Sequence, residues 1–356
     1  MKSLFDKLTA VLFCLFLFSF ATLFLFAPKP ETIPEERRLA QDLPTLSAEG
    51  VLSGEFMRDA EAYLLDAIPM RSALVSAHAN ICLDLFCLPR CHGVRAGDHG
   101  LEKPLPAYDE ALVSDNLDTI TRYLQKFFGG KEAYTVFLPH KGYYTESTES
   151  YDLAWREIAS RSAFVPIAVT DTLAPEDYFL TDIHIRPEAY GALMPTLSYA
   201  MDFEPTEGLF AARCYGACGT LALSLGKRDI RDRFSLLFDP SGIVASSEVS
   251  SGVLYDEACL DRQSADPYDL YLGGEVGNGV TVIRSPKSQN DRRLVVFRDS
   301  FMRAAIPYFL SAYREIVLVD LRTPYRRLVD EPMLYADDAT DILIFLSPHT
   351  LLTTRF

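Results

Sequence analysis

Between Leu8 and Ala27 the chain runs LTAVLFCLFLFSFATLFLFA, twenty residues without a charge. At about 1.5 Å of helical rise per residue this stretch covers about 30 Å, the thickness of a bilayer's hydrocarbon core. A helix apolar on every face at a chain terminus is a poor candidate for a soluble core, so the segment reads as one membrane crossing. Lys2 and Lys7 precede it, and the positive-inside bias then predicts a cytoplasmic N-terminus with the bulk of the chain on the far side. A cleaved signal peptide is the competing reading. Its apolar region is normally shorter and ends in a small-x-small site, which Phe24 to Phe26 do not offer. An uncleaved signal anchor in the cell membrane, single-pass, with an extracytoplasmic C-terminal part, is the expectation.

The remaining residues can bury a sizeable core, since 49% of the 356 residues are hydrophobic. The formal charge is −15 and no basic run occurs, which excludes a phosphate-neutralising nucleic-acid binder. Cys14 lies in the apolar span, and six further cysteines follow: Cys82, Cys87, Cys91, Cys214, Cys218 and Cys259. In an oxidising compartment the simplest pairing joins Cys214 to Cys218 and two of the first three. Zinc on Cys87, Cys91 and His92 is the alternative, although the spacing makes no CxxC pair and no second pair completes four ligands. No metal or organic cofactor is expected.

After a tip and span over residues 1–27, residues 28–50 are rich in Pro and charge without an apolar period and read as an extended stalk. Helical spacing follows from Phe56 to Phe86, interrupted at Pro69, so two helices should meet there. Residues 110–128 predict another amphipathic helix, closed by Gly129 and Gly130. The apolar runs 133–138, 164–170, 294–297, 316–321 and 342–346 have the composition of buried parallel strands. Trp155 to Ser162 and Arg186 to Ala200 read as helices between them. The fold class is therefore α/β, a doubly wound, mostly parallel sheet with helices on both faces. Its first part spans 51–202 and its second 286–356, separated by a β-rich insertion at 203–285 with alternating strands such as Arg233 to Phe238.

Open α/β sheets place ligands beyond the carboxyl ends of their strands, and two segments fall there. In RLVVFRDSFMRAA a strand to Phe297 runs through Asp299 and Ser300 into a helix. A serine on such a turn has an exposed hydroxyl and a backbone N–H near a helix N-terminus, where an oxyanion can be held; a simple N-cap is the plainer reading. Pro307 should bend that helix. In TDIHIRPEAY, Asp182 and His184 project to one side of a locally extended backbone. An imidazole oriented by a carboxylate is what a serine needs to become a nucleophile near neutrality.

The blocks PEERRLAQDLPTLSAEGVLSGEFMRDAEAYLLDAIPMR, VFLPHKGYYTE, TDIHIRPEAY, DPYDLYLGGEVGNGVTVIRSP and VVFRDSFMRAAIPYFLSAYREIVLVDLR, in this order, resemble the DHHW proteins of Firmicutes. Those proteins are similar to the SGNH-hydrolase-like proteins of alginate O-acetylation, the AlgX and AlgJ type. The resemblance implies an SGNH-like sheet with Ser300 as nucleophile, His184 as base and Asp182 as its orienter. Lys141 stands at a recurrent position of that family and either binds substrate or holds its loop; the backbone N–H groups of Ser300 and Gly274 are candidate oxyanion donors, and His140, after a strand on the same sheet edge, either lines the pocket or is solvated. The name motif is reduced here to Asp182-Ile183-His184-Ile185, and Glu275 stands where the family often has Asn, with Asn278 close by.

Arg186 and Arg298 flank the three residues and could meet an anionic substrate or pair within an acidic protein. Tyr143, Tyr144 and Tyr190 could stack on sugars or fill a core, and His349 has no partner pattern. The implied function is an extracytoplasmic, membrane-anchored O-acyltransferase or esterase acting on a cell-envelope or extracellular polysaccharide. The alternative is a non-catalytic glycan-binding or envelope-assembly protein on the same fold. A further alternative is a partner of a membrane acyl-donor system that docks through residues 56–86.

Overall fold

The computed structural model describes residues 2–33, 36, 38–250, 252–261, 266–274, 279–323, 325–328 and 331–356. Glu275 and Asn278 lie outside these residues. The chain divides into two units, one running up to Leu88 with Leu223–Lys227, the other comprising Pro89–Ala222 and Arg228–Phe356.

In the first unit, helix α1 (Lys2–Phe26) contains the 23-residue stretch Leu4–Phe26, which is long and apolar enough to cross a membrane. Residues 28–50 are not wholly extended. Strands β1 (Thr32–Ile33) and β2 (Arg38–Leu39) pair antiparallel, and helix α2 (Ala48–Ser53) begins at the Ser47 cap. Helices α3 (Glu55–Asp66) and α4 (Arg71–Asn80) flank Pro69 as the periodicity requires. Asp66, buried at the end of α3, takes both arms of the Arg38 guanidinium at 2.5 and 2.6 Å and the Gln41 N–H at 3.0 Å. This bidentate pair ties the strand pair to the helices.

The second unit opens with an antiparallel meander of β3 (Arg90–Cys91), β4 (Val94–Gly97) and β5 (Gly100–Glu102). Helix α5 (Glu110–Phe128) has the predicted bounds. The Asp109 carboxylate accepts from the Leu112 N–H, and Gly129 closes the helix with φ 61°. Strand β6 (Ala133–Phe137), helices α6 (Lys141–Thr145) and α7 (Glu149–Ser160) and strand β7 (Phe164–Ile167) follow. Pro187 and Pro195 divide the expected helix at 186–200 into a 3-10 turn, Pro187–Ala192, and helix α8 (Met194–Met201). Strands β8 (Phe210–Ala217) and β9 (Asp232–Phe238) form a two-stranded antiparallel sheet.

The central sheet adds β10 (Glu248–Val249), β11 (Val280–Arg284), β12 (Arg293–Arg298), β13 (Glu315–Asp320) and β14 (Thr340–Leu346), in the order β10-β11-β13-β12-β14-β6-β7. The run from β13 to β7 is parallel, while β11 and β10 add antiparallel at one edge. The stretch 203–285 is therefore not a subdomain apart, because two of its strands complete the sheet.

Both faces of the sheet are covered. Leu294 and Val296 of β12 enter one core with Met194, Leu197 and Phe234; Val295 and Phe297 enter the other with Leu117, Ile120, Tyr123 and Ile158. Double burial is the reason the middle of each of these strands is a continuous apolar run. From β6 the chain turns outward to β7, whereas from β12 it turns the other way to β13, leaving β14 between them. Open α/β sheets place ligands at such a reversal, which here falls at the carboxyl ends of β6, β14 and β12.

Candidate active site

Asp182 and His184 occupy a tight loop rather than an extended strand. Tyr178 and Ile185 form an isolated antiparallel bridge at its base, and the Phe179 N–H donates to the His184 carbonyl at 3.0 Å. The loop is built by long-range polar contacts. The Asp232 carboxylate, at the start of β9, accepts from the N–H groups of Leu180 and Thr181 at 2.7 and 2.6 Å and from the Thr181 hydroxyl. The Thr181 carbonyl accepts from the Leu221 N–H at 3.1 Å, and the Gly219 N–H donates to Thr181 Oγ1 at 2.8 Å.

Fully buried, the Asp182 carboxylate has four donors. Oδ1 accepts from His184 Nδ1 at 2.5 Å and from the His184 N–H at 3.2 Å; Oδ2 accepts from the Thr220 N–H at 2.8 Å and its hydroxyl at 2.7 Å. Burial pushes its pKa up, but the His184 imidazole and the hydrogen bonds from His184 and Thr220 outweigh burial and hold it well below the ordinary carboxylate range. On the other side of the ring, His184 Nε2 lies 2.7 Å from Ser300 Oγ. The imidazole is stacked on Tyr268 with centroids 3.6 Å apart and planes 8° from parallel. Arg303 Cζ lies 5.3 Å from the centre of the Tyr268 ring.

Ser300 follows β12. Its neighbour Asp299 is buried and acts as a brace: Oδ1 accepts from the Phe301 N–H at 3.0 Å, and Oδ2 from the N–H and hydroxyl of Ser347 at 2.7 and 2.6 Å. The turn that displays Ser300 is thus clamped to the end of β14. The helix beyond is short, Met302–Ala305, and passes into a 3-10 turn, Ile306–Phe309, which accommodates Pro307.

The other expected residues fall into different roles. Lys141 is buried, with Nζ donating to the carbonyls of His99, Leu101 and Phe179 at 3.2, 3.0 and 2.7 Å. Those are the contacts of a residue that holds its loop, not of one that meets substrate, and burial lowers its pKa to about 8. Arg298 is likewise enclosed, 3.6 Å from Asp320, with burial lowering it to about 10, so it offers substrate no exposed cation. Gly274 ends the 3-10 turn Leu272–Gly274, six residues beyond the Tyr268 that supports His184.

Arg186 donates to the Glu176 carbonyl. Tyr190 is buried with its hydroxyl on the Phe301 carbonyl at 2.7 Å, Tyr144 donates to the Thr170 carbonyl, and Tyr143 packs on Tyr144 and Tyr151. These tyrosines serve packing rather than sugar stacking. Cys82, Cys87, Cys214 and Cys218 are free thiols, so the simplest pairing, Cys214 with Cys218, is not formed. His140 is buried, not solvated. Its Nδ1 accepts from the Gly142 N–H at 3.0 Å and its Nε2 lies 3.1 Å from His349 Nε2.

Thr220, Asp232 and Tyr268 shape the loop and the imidazole without any local sequence pattern that marks Thr220 or Asp232, whereas Tyr268 lies in the family-like stretch DPYDLYLGG. Gly219 is as tightly placed. A Cβ there would sit 2.6 Å from both Asp182 Cβ and the Thr181 carbonyl oxygen. Gly219→Ala is expected to displace the Asp182 loop, lowering stability by about 1–3 kcal/mol and the reactivity of Ser300 toward a fluorophosphonate by about 10-fold. Thermal melts and labelling rates check this; an unchanged pair of values would show the loop to be free to yield.

No protein-family model matches the chain, and no curated protein matches it. Solved structures do. A DHHW family protein from Eubacterium siraeum DSM 15702 shares 16% identity with a TM-score of 0.53, covering 74% of this chain and 93% of its own. PatB1 of Bacillus cereus, solved with a sulfonyl adduct, shares 15% identity with a TM-score of 0.52, covering 74% and 97%. The O-acetyltransferase domain of Pseudomonas putida AlgJ aligns at 14% identity with a TM-score of 0.46, over 74% and 94%. The chain has the fold of the first two, in agreement with the resemblance carried by its sequence blocks.

Proposed function

We propose that this chain is a membrane-anchored, serine-dependent O-acyltransferase or esterase, held by α1 with its globular part outside the cytoplasm. Its substrate is a cell-envelope or extracellular polysaccharide. One observation carries the reading: a buried carboxylate, an imidazole and a partly exposed hydroxyl stand in line, 2.5 Å and 2.7 Å apart. An aspartate without a proton fixes the Nδ1–H tautomer of His184 and leaves Nε2 free to accept from Ser300 Oγ.

Ser300 Oγ attacks an ester carbonyl while its proton passes to His184 Nε2. Collapse of the tetrahedral intermediate breaks the bond to the leaving alcohol, which takes that proton, and the acyl group stays on Ser300. A sugar hydroxyl or water then attacks, giving its proton to His184 and freeing Ser300. The backbone N–H groups of Ser300 and Gly274 are the proposed oxyanion donors, each worth about two to three orders of magnitude in rate. The fold shared with PatB1, which has been solved with a sulfonyl adduct, supports the acyl chemistry. Lys2 and Lys7 ahead of the span support the orientation, and a membrane acyl-donor system would supply the acyl group.

The test is covalent labelling of the full chain by a fluorophosphonate, with the modified peptide identified by mass spectrometry. The adduct is expected on Ser300. Labelling of another residue, or none, removes the catalytic reading and leaves an anchored glycan-binding protein.

A further inference from the structure

At the carboxyl ends of β6 and β14 stands a pair of histidines that the proposed reaction does not use. His140 follows β6 and His349 follows β14, with Nε2 atoms 3.1 Å apart and rings crossed at 79°. The backbone N–H of Gly142 can only donate, so His140 Nδ1 must carry a lone pair and its proton sits on Nε2. That proton points at His349 Nε2, which must accept, and the His349 proton is therefore on Nδ1. Burial keeps His140 well below its ordinary pKa, and burial, with the Lys103 charge adding to it, lowers His349 to about 4, so both rings are neutral near pH 7.

A metal bridging the two Nε2 atoms does not fit. A ligating imidazole normally donates from its other nitrogen, whereas His140 Nδ1 is an acceptor. Among the described residues His349 Nδ1 has no protein acceptor, and its residue is partly exposed. His349 is also held near the nucleophile: Ser347, two residues earlier, bonds the Asp299 carboxylate that precedes Ser300.

We propose that His349 is a substrate-binding residue whose Nδ1–H donates a hydrogen bond to an oxygen of the acylated sugar, in a tautomer and ring orientation imposed by His140. The role rests on the serine chemistry proposed above and adds a contact to the sugar rather than to the acyl group. A donor already fixed by His140 loses little freedom on binding. Two measurements test it on the full chain in a lipid nanodisc. Long-range proton–nitrogen spectra of the histidine rings at pH 7 should show His349 protonated at Nδ1 and His140 at Nε2; the opposite tautomer of His349 overturns the role whatever Ser300 does.

His349→Ala should raise KM for penta-O-acetylglucose about 10-fold, with kcat/KM for para-nitrophenyl acetate held within about 3-fold, and His349→Asn should recover part of the loss. Equal losses on both esters mark a structural residue, and no loss on the sugar ester marks a bystander; either overturns the role. A wild type inactive on both esters overturns the serine chemistry and this role with it. An active wild type with an unaffected sugar KM in His349→Ala overturns this role alone.

Discussion

Ser300→Ala, His184→Ala and the double variant are expected to fall to one common floor of ester turnover, about three to six orders of magnitude below the wild type. The hydroxyl is a poor nucleophile until Nε2, 2.7 Å away, can take its proton, and the imidazole has nothing to activate once the hydroxyl is gone. Each loss therefore already contains the other. Two residues acting independently would instead give a double variant whose loss is the product of the two singles. Steady-state hydrolysis of para-nitrophenyl acetate by the three variants distinguishes these outcomes. The Ser300 side chain is not expected to matter much for folding: it is partly exposed, and Ser300→Ala removes a single hydroxyl from a turn whose shape is set by Asp299. A melting temperature within a few degrees of the wild type would keep the kinetic result interpretable.

What could be read from the sequence follows the range of the forces involved. The bounds of helix α5 are legible because its amphipathic period and the glycines that close it are local signals. The buried strands β12, β13 and β14 are legible because a sheet covered on both faces makes the middle of each strand continuously apolar. Strand β11 is just as apolar and was assigned to an insertion, since composition does not report that it runs antiparallel at the sheet's edge. Asp182, His184 and Ser300 stand out in the sequence because two are near neighbours and the third follows a strand, and the structure brings the three side chains within hydrogen-bond reach. Thr220 and Asp232 carried no signal, being short polar residues whose partners lie 38 and about 50 positions away. The partner of His349 is 209 positions distant, and nothing around either histidine advertises the other.

Asp182→Asn should reduce turnover about 10,000-fold while leaving Ser300 and His184 in place. The carboxylate is an acceptor on both arms, and all four donors around it use that property. An amide has one accepting arm and one donating arm. With its NH2 toward Thr220, the threonine hydroxyl can turn and accept, but the Thr220 N–H is left facing another donor. With its NH2 toward His184, the imidazole can move its proton to Nε2, and the His184 N–H is left unsatisfied instead. In that second state Nε2 donates to Ser300 Oγ and can no longer take its proton. In the first, the imidazolium that forms during attack has lost the neighbouring negative charge. Both orientations therefore slow the reaction, by tautomer in one and by lost charge in the other. Asp182→Glu retains the charge but lengthens the arm in a fully enclosed site, so it should fail through packing and show a lowered melting temperature. Kinetics and thermal melts of the two variants together separate charge from shape; an Asn variant with near wild-type kcat would show that Asp182 only anchors its loop.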